Sequence, residues 1–245
     1  MCGRILSVQT PHIEEIERSD ETGSTHMERV LEPELMDDEA QSRAYAKADF
    51  SASNQRFVDG LAQQFRPHLQ RVVDLGCGPG DVDIRLAGAV PEAVITAVDG
   101  SAPMVALARS AVDASGLAAR ITLLEGVLPG LPLDPHAFDA VLSKDLLHHL
   151  PDPSALWHEV RRLGRSGAVM YVMDLIRPDT SDAANDIVET VAGKEDPILR
   201  QDFFNSLCAA FTIEEVLDQL RVAGLHHLDV TRSGDRHLLV SGVLS

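Results

Sequence analysis

Val72-Val73-Asp74-Leu75-Gly76-Cys77-Gly78-Pro79-Gly80 is an apolar run that ends in a turn too rich in glycine to be a simple connector. Val72, Val73 and Leu75 predict a short buried strand, and Val82, Ile84, Leu86 and Ala87 predict a helix that opens just after Gly80. Gly76 and Gly78 lack a Cβ, so the backbone can turn sharply and a flat ligand can approach the main chain, while the helix N-terminus offers unpaired N–H groups. Such a turn alone is weak evidence of a ligand. Its context is stronger: about twenty residues on, the apolar run 94–98 ends in Asp99, where α/β nucleotide sites carry an acid for two adjacent ribose hydroxyls.

The spacing then separates two kinds of nucleotide site. Dinucleotide sites favour G-x-G-x-x-G because a pyrophosphate sits on the helix N-terminus. Here the glycines stand at 76, 78 and 80, and Asp74 precedes the first by two residues. A carboxylate there repels pyrophosphate but attracts ammonium and sulfonium charge. The run from Asp74 to Gly80 resembles motif I of class I S-adenosylmethionine-dependent methyltransferases. Asp99-Gly100-Ser101 with Met104 resembles that family's ribose and adenine motif, and residues 138–153, FDAVLSKDLLHHLPDP, resemble its fourth-strand motif. Three motifs in the correct order span most of residues 71–175.

The resemblance implies a Rossmann-like α/β fold: a seven-stranded, mostly parallel sheet with a C-terminal antiparallel hairpin and helices on both faces. It implies S-adenosylmethionine as cofactor and in-line transfer of its methyl to a small-molecule acceptor. The cofactor contacts it implies are Asp74, Gly76, Cys77, Gly78, Asp99, Gly100, Ser101, Met104, Gly126, Val127, Leu128, Ser143 and Lys144. Many members of the family place an acid just after the glycine at 126 to meet the adenine amino group. This chain has Val127, which leaves backbone groups and side-chain packing for the ring.

At 245 residues the chain suffices for one well-buried α/β domain, expected over 39–245. A net charge of −17 argues against broad binding to nucleic acid or anionic membrane. Cys2, Cys77 and Cys208 have no paired spacing, so neither disulfides nor a zinc site is expected, and no metal site is read. No apolar run reaches spanning length and the N-terminus lacks a signal-peptide pattern, so a cytoplasmic enzyme is expected. Oligomeric state has no readable signal.

Residues 1–38, acidic and poor in aromatic residues, predict a mobile leader, with Met27 as an alternative start. Residues 39–66 turn helical. Helices before the first strand often cover the ligand in the resembling family, so Tyr45 and Phe50 either cap the site or simply pack. Ser101 is a helix cap with Pro103 in the first turn. Residues 121–124 and 138–142 predict the third and fourth strands, with Ser143, Lys144 and Asp145 at the end where ligands of open α/β sheets bind. His148 and His149 follow on a short helix. With Asp145 and Asp202 they are the general-base candidates for an amine or alcohol acceptor, the alternative being packing and hydrogen bonding. A thiolate or phenolate would need no such help.

Residues 168–173 predict the fifth strand. The insertion 178–211 is longer than a connection needs, and Arg200, Asp202, Phe203 and Asn205 suit either a lid over a small substrate or a helical support with its charges in water. Thr212 to Glu215 is a capping box and Phe211 to Val216 a hydrophobic staple, with Leu217, Leu220 and Ala223 expected to bury that helix. The runs 225–231 and 237–244, joined by a turn at 233–235, predict an antiparallel pair, which is unusual for dehydrogenase domains. Two rivals to methyl transfer stand beside it: a dinucleotide-dependent oxidoreductase and a non-catalytic S-adenosylmethionine-binding protein.

Overall fold

The computed structural model describes residues 17–19, 25–32, 42, 45–46 and 48–245. A two-stranded antiparallel sheet pairs β1 (Glu17–Ser19) with β2 (Thr25–Met27). The main sheet has seven strands: β3 (Arg71–Leu75), β4 (Val94–Asp99), β5 (Ile121–Glu125), β6 (Phe138–Lys144), β7 (Gly164–Leu175), β8 (Asp229–Ser233) and β9 (His237–Val243). Their order is β5-β4-β3-β6-β7-β9-β8. Neighbours from β5 to β7 run parallel, and β9 is antiparallel to both β7 and β8. The expected mixed sheet with a C-terminal hairpin is therefore present.

The helices are α1 (Ser51–Phe65), α2 (Asp81–Ala89), α3 (Ala102–Ser115), α4 (Ser154–Leu163), α5 (Ser181–Ala192), α6 (Pro197–Ala209) and α7 (Ile213–Val222). Central parallel strands are covered on both faces, which is why they read as continuous apolar runs. Strand alternation sorts their side chains. Val73, Leu75 and Val141 pack with Leu156, Trp157 and Val160 of α4 and Val216 and Leu220 of α7. Val72, Ala140 and Leu142 pack with Phe57 and Leu61 of α1 and Val82 and Leu86 of α2. Each fully buried large side chain contributes roughly 1.5–3 kcal/mol. Asp74 alternates with Val73, so it falls on the α1 and α2 face. At β3 the strand order reverses, with β4 on one side and β6 on the other, and a crevice opens beyond their carboxyl ends.

Four local expectations need correction. β7 starts at Gly164, directly out of α4, rather than at residue 168; a register shift against β6 between Phe138 and Ala140 absorbs the extra residues. β8 starts at Asp229, because Leu225 and Leu228 enter the core before the chain extends. Leu217 is exposed, since Val216 and Leu220, four residues apart, form the inner face of α7. Within the expected leader, residues 27–32 belong to the folded body. Met27 is buried against Leu175, Ala184, Val188 and Leu207, and its amide donates to Asp179 O at 2.8 Å. Arg29 donates to the carbonyls of Ala209, His148 and Leu150 at 2.6, 3.0 and 2.9 Å and lies 3.9 Å over the Phe211 ring. The remainder of residues 1–38 lies outside the described residues apart from β1 and the start of β2.

Local capping follows the sequence closely. Ser101 Oγ accepts from Met104 N, and Thr212 and Glu215 form the reciprocal box at the start of α7. The loop after β5 is pinned from α4. Buried Glu159 pairs with Arg162 at 2.6 Å and accepts from Gly130 N at 3.1 Å, while Arg162 donates to Leu131 O and Leu133 O. Burial opposes ionisation of Glu159, but Arg162 and the Gly130 amide outweigh it and lower its pKa. Glu159→Ala would leave Arg162 unpaired and free the loop, so a loss of about 3–5 kcal/mol is expected in urea unfolding. A loss below about 1 kcal/mol would show that this pin is dispensable.

Candidate functional site

The glycine turn is built against the end of β4. Gly76 N and Cys77 N both donate to Val98 O, at 2.8 and 2.9 Å. Gly76 has φ +81°, and a Cβ on it would stand 2.9 Å from Leu146 Cβ, so no other residue fits. Gly78 N donates to Asp99 Oδ2 at 2.8 Å, and Ser101 N donates to Asp99 Oδ1 at 2.9 Å. Nothing lies within 4 Å of where a Gly78 Cβ would stand, because that side of the backbone faces open space. This space is a cavity of about 720 Å³ lined by Asp74, Gly78, Asp99, Met104, Lys144 and His149 among others. Its far wall comes from Tyr45, Phe50, Ser51 and Asn54, with the Tyr45 and Phe50 rings 4.8 Å apart. Asn54 Nδ2 donates to Asp81 Oδ2 at 2.8 Å, tying α1 to the start of α2. A slot of about 60 Å³ adjoins it between Val98, Gly126, Val127, Leu128 and Leu146.

Most residues singled out in the sequence meet here. Asp74, Gly76, Cys77, Gly78, Asp99, Gly100, Ser101, Met104, Lys144, Asp145, His149, Tyr45 and Phe50 line the cavity, and Gly126, Val127 and Leu128 line the slot. Ser143 does not: its buried Oγ donates to Leu75 O at 2.8 Å and ties β6 to β3. His148 lies behind the wall. Arg200, Asp202, Phe203 and Asn205 line neither space. On α6, Arg200 pairs with Glu189 of α5, Gln201 donates to Asn205, and Phe203 packs on the Met27 cluster. The two helices close on each other and on residues 27–32, with the buried Nε of Arg200 left without a hydrogen-bond partner among the described residues. Glu32, Asn54 and Asp83 escaped the sequence reading; Asp83 alone had a signal, an acid among the apolar positions of α2.

The cavity is acid-rich. Burial first, and the charge of Asp99 next, push Asp74 up to about 7, against the pull of Lys144. Burial and Asp74 hold Asp83 well above the usual carboxylate range. Asp74 Oδ1 and both carboxyl oxygens of Asp83 have no hydrogen-bond partner among the described residues. Lys144 is paired with Asp145. Asp145 holds a left-handed backbone, φ +57°. Burial raises its pKa, but Lys144 and His237 outweigh that and bring it to about 2. It is thus the counter-ion of Lys144 and a poor proton acceptor. Desolvation and nearby carboxylates raise the Tyr45 phenol, which stays neutral.

Next to the cavity stands a second polar group. Asp174, at the end of β7, accepts from Leu147 N at 2.7 Å and holds His148 Nδ1 at 2.7 Å. Burial lowers the His148 pKa, but Asp174 and then Glu32 outweigh it and the net shift is upward. Glu32 Oε1 lies 3.0 Å from His149 Nδ1 and 3.6 Å from His148 Nε2, and the two imidazole rings are 4.1 Å apart.

Comparison with known proteins agrees with this geometry. Residues 72–167 match the methyltransferase domain family. A demethylmenaquinone methyltransferase of Lactiplantibacillus plantarum is 36% identical over 121 residues, 49% of this chain and 51% of that protein. The 27-O-demethylrifamycin SV methyltransferase of Amycolatopsis mediterranei is 28% identical over 182 residues, 73% of this chain and 62% of that protein. The chain thus spans about half the length of the first of these relatives. The solved plantazolicin methyltransferase BpumL, in complex with a triazolic desmethylPZN analog and SAH, shares the fold with a TM-score of 0.64 at 13% identity, over 84% of this chain and 89% of that one. The glycine turn, Asp99 and the end of β6 all fall inside the matched segment, so the part of the chain that is similar to the methyltransferase domain family is the part that builds the cradle.

Proposed function

We propose that the chain binds S-adenosylmethionine in the cavity and transfers its methyl group to a small-molecule nucleophile. The observation that carries this reading is the bare backbone at Gly78 between the fixed carboxylate of Asp99 and the unpartnered oxygen of buried Asp74. That donor set fits the cofactor. Asp99 would accept from the two ribose hydroxyls, Asp74 would face the ammonium, and Val127, Leu128 and Leu146 would hold the adenine in the slot. When bound, the cofactor supplies an electrophilic methyl group on a positively charged sulfur.

The remaining task belongs to the chain: holding an acceptor about 3 Å from the reacting carbon and excluding water. Tyr45 and Phe50 cover the cavity, and the acceptor side is bounded by Tyr45, Asp145 and His149. A protic acceptor would lose its proton on the His149 side, since Asp145 is committed to Lys144. The names of the demethylmenaquinone and 27-O-demethylrifamycin SV relatives support a small-molecule acceptor. Dinucleotide binding is disfavoured by Asp81 and Asp83 in the first turn of α2, beside Asp74, where a pyrophosphate would sit. Among the described residues no helix is long and apolar enough to cross a membrane, and buried thiols at Cys77 and Cys208 suit our assignment to the cytoplasm.

Incubation with methyl-labelled S-adenosylmethionine and host extract split into small-molecule and macromolecular fractions is expected to label a small metabolite. Asp99→Ala should weaken S-adenosylhomocysteine binding about 10- to 100-fold, the loss of one or two charged hydrogen bonds. Binding without any labelled product would instead make the chain a cofactor-binding protein. Label in the protein fraction alone would overturn the small-molecule assignment.

The Asp74 and Asp83 pair gives a pH prediction. A carboxyl raised from 3.8 to about 7 stabilises the fold fully below pH 3.8, and that stability is lost as pH rises through about 7. Cofactor binding runs the other way, because an ammonium beside Asp74 favours its ionised form, so affinity should climb through the same interval. Asp83→Asn removes one of the two acids while keeping its shape. It is expected to raise Tm at pH 8.5 more than at pH 5.5 and to flatten the affinity profile. Parallel wild-type and variant profiles in both measurements would refute the pairing.

A further inference from the structure

We propose that Glu32, His148 and His149 form a binding site for one divalent first-row transition-metal ion on the acceptor side of the cavity. One ligand atom from each of the three lies within 4.8 Å of the other two. Two ligands of an ion bound at about 2.1 Å, at tetrahedral or octahedral angles, stand roughly 3.0–3.4 Å apart. The carboxylate oxygen sits 3.0 Å from His149 Nδ1 and 3.6 Å from His148 Nε2, close to that spacing on both sides.

The second observation is behind the ligands. Asp174 Oδ1 is 2.7 Å from His148 Nδ1, and Asp174 is itself fixed by the amides of Leu147 and Leu175 at 2.7 and 2.8 Å. A buried carboxylate on the far nitrogen fixes the tautomer in which Nε2 carries the lone pair, the arrangement that supports metal-binding histidines. Glu32 is positioned in turn by Ser206 Oγ at 3.2 Å, and residues 27–30 before it are anchored by Arg29. Two imidazoles and one carboxylate suit zinc, iron, cobalt or manganese rather than calcium or magnesium.

Three protein ligands leave positions open, and His149 lines the cavity, so the site adjoins the acceptor space. An acceptor hydroxyl that ligates the ion would release its proton to solvent more readily and present an oxyanion at the cavity wall. That role rests on the methyl-transfer reading; metal binding does not.

The test uses the full chain, stripped with a chelator and titrated with Zn²⁺ by calorimetry and with Co²⁺ by visible absorption. One equivalent is expected, with cobalt d–d bands that report nitrogen and oxygen ligands. His149→Ala, only partly buried, and Glu32→Gln should each weaken binding at least about 10-fold with unchanged circular dichroism. Stoichiometry below about 0.1, or affinity indifferent to both substitutions, overturns the site. His226→Ala with His227→Ala, on an exposed pair far along the chain, should leave binding intact; if that double variant abolishes it, the metal sits elsewhere. S-adenosylhomocysteine binding to the stripped chain reports on the Gly78 and Asp99 cradle separately.

Discussion

One carboxylate at the end of β4 holds the site together. Asp99 receives the amides of Gly78 and Ser101, and the carbonyl before it, Val98 O, receives those of Gly76 and Cys77. The turn after β3 is thus hydrogen-bonded to the neighbouring strand as well as to itself, where Gly80 N donates to Cys77 O at 3.1 Å. Each of these amides, if buried and unpaired, would cost about 1–3 kcal/mol. The bonds therefore fix the cradle before any ligand arrives, and a site fixed in advance loses less entropy on binding. β3 is also the strand at which the sheet order reverses, with β4 on one side and β6 on the other, so the fold and the cradle depend on one seam.

That seam places negative charge where a folded core disfavours it. Asp74 and Asp83 are buried within the α1 and α2 face, and Asp99 adds its field. The nearby cation, Lys144, is turned to Asp145. Burial keeps the inner pair from ionising fully, so its proton acts as the internal counter-charge. A cationic ligand can replace that proton, whereas an anionic one meets three carboxyls at the N-terminus of α2 and the end of β3. The electrostatics thus select the ligand class even before shape does.

What was legible in the sequence was local. Glycines at 76 and 78, the acid at 99, the Ser101 cap and the Thr212 capping box each declare themselves within a few residues, because turn sterics and orphan helix amides act at that range. The strands read clearly because both faces of a parallel sheet are buried. Contacts across long separations were not legible. Glu32 meets residues more than a hundred positions away, and nothing in its neighbourhood marks it. The insertion at 178–211 read as either a lid or a helical support, because it is long and mixes polar with aromatic residues. In the fold, Arg200 and Asn205 find partners within α5 and α6, and Phe203 finds apolar cover in the Met27 cluster. Composition could not tell a polar residue waiting for substrate from one already paired.

The two sides of the cavity also come from different parts of the chain. The cradle side lies within residues 72–167, the segment that matches the family. The opposite wall comes from Tyr45, Phe50 and Asn54 and, through His149, from Glu32, all of which precede that segment. Arg29 links this N-terminal part to the loop carrying both histidines and to the end of α6 through three carbonyls, so the acceptor wall is one packed unit spanning both ends of the domain. Likeness over the matched segment thus bears on the proposed cofactor cradle, while the proposed acceptor side combines Asp145 and His149 from within that segment with Tyr45 from outside it.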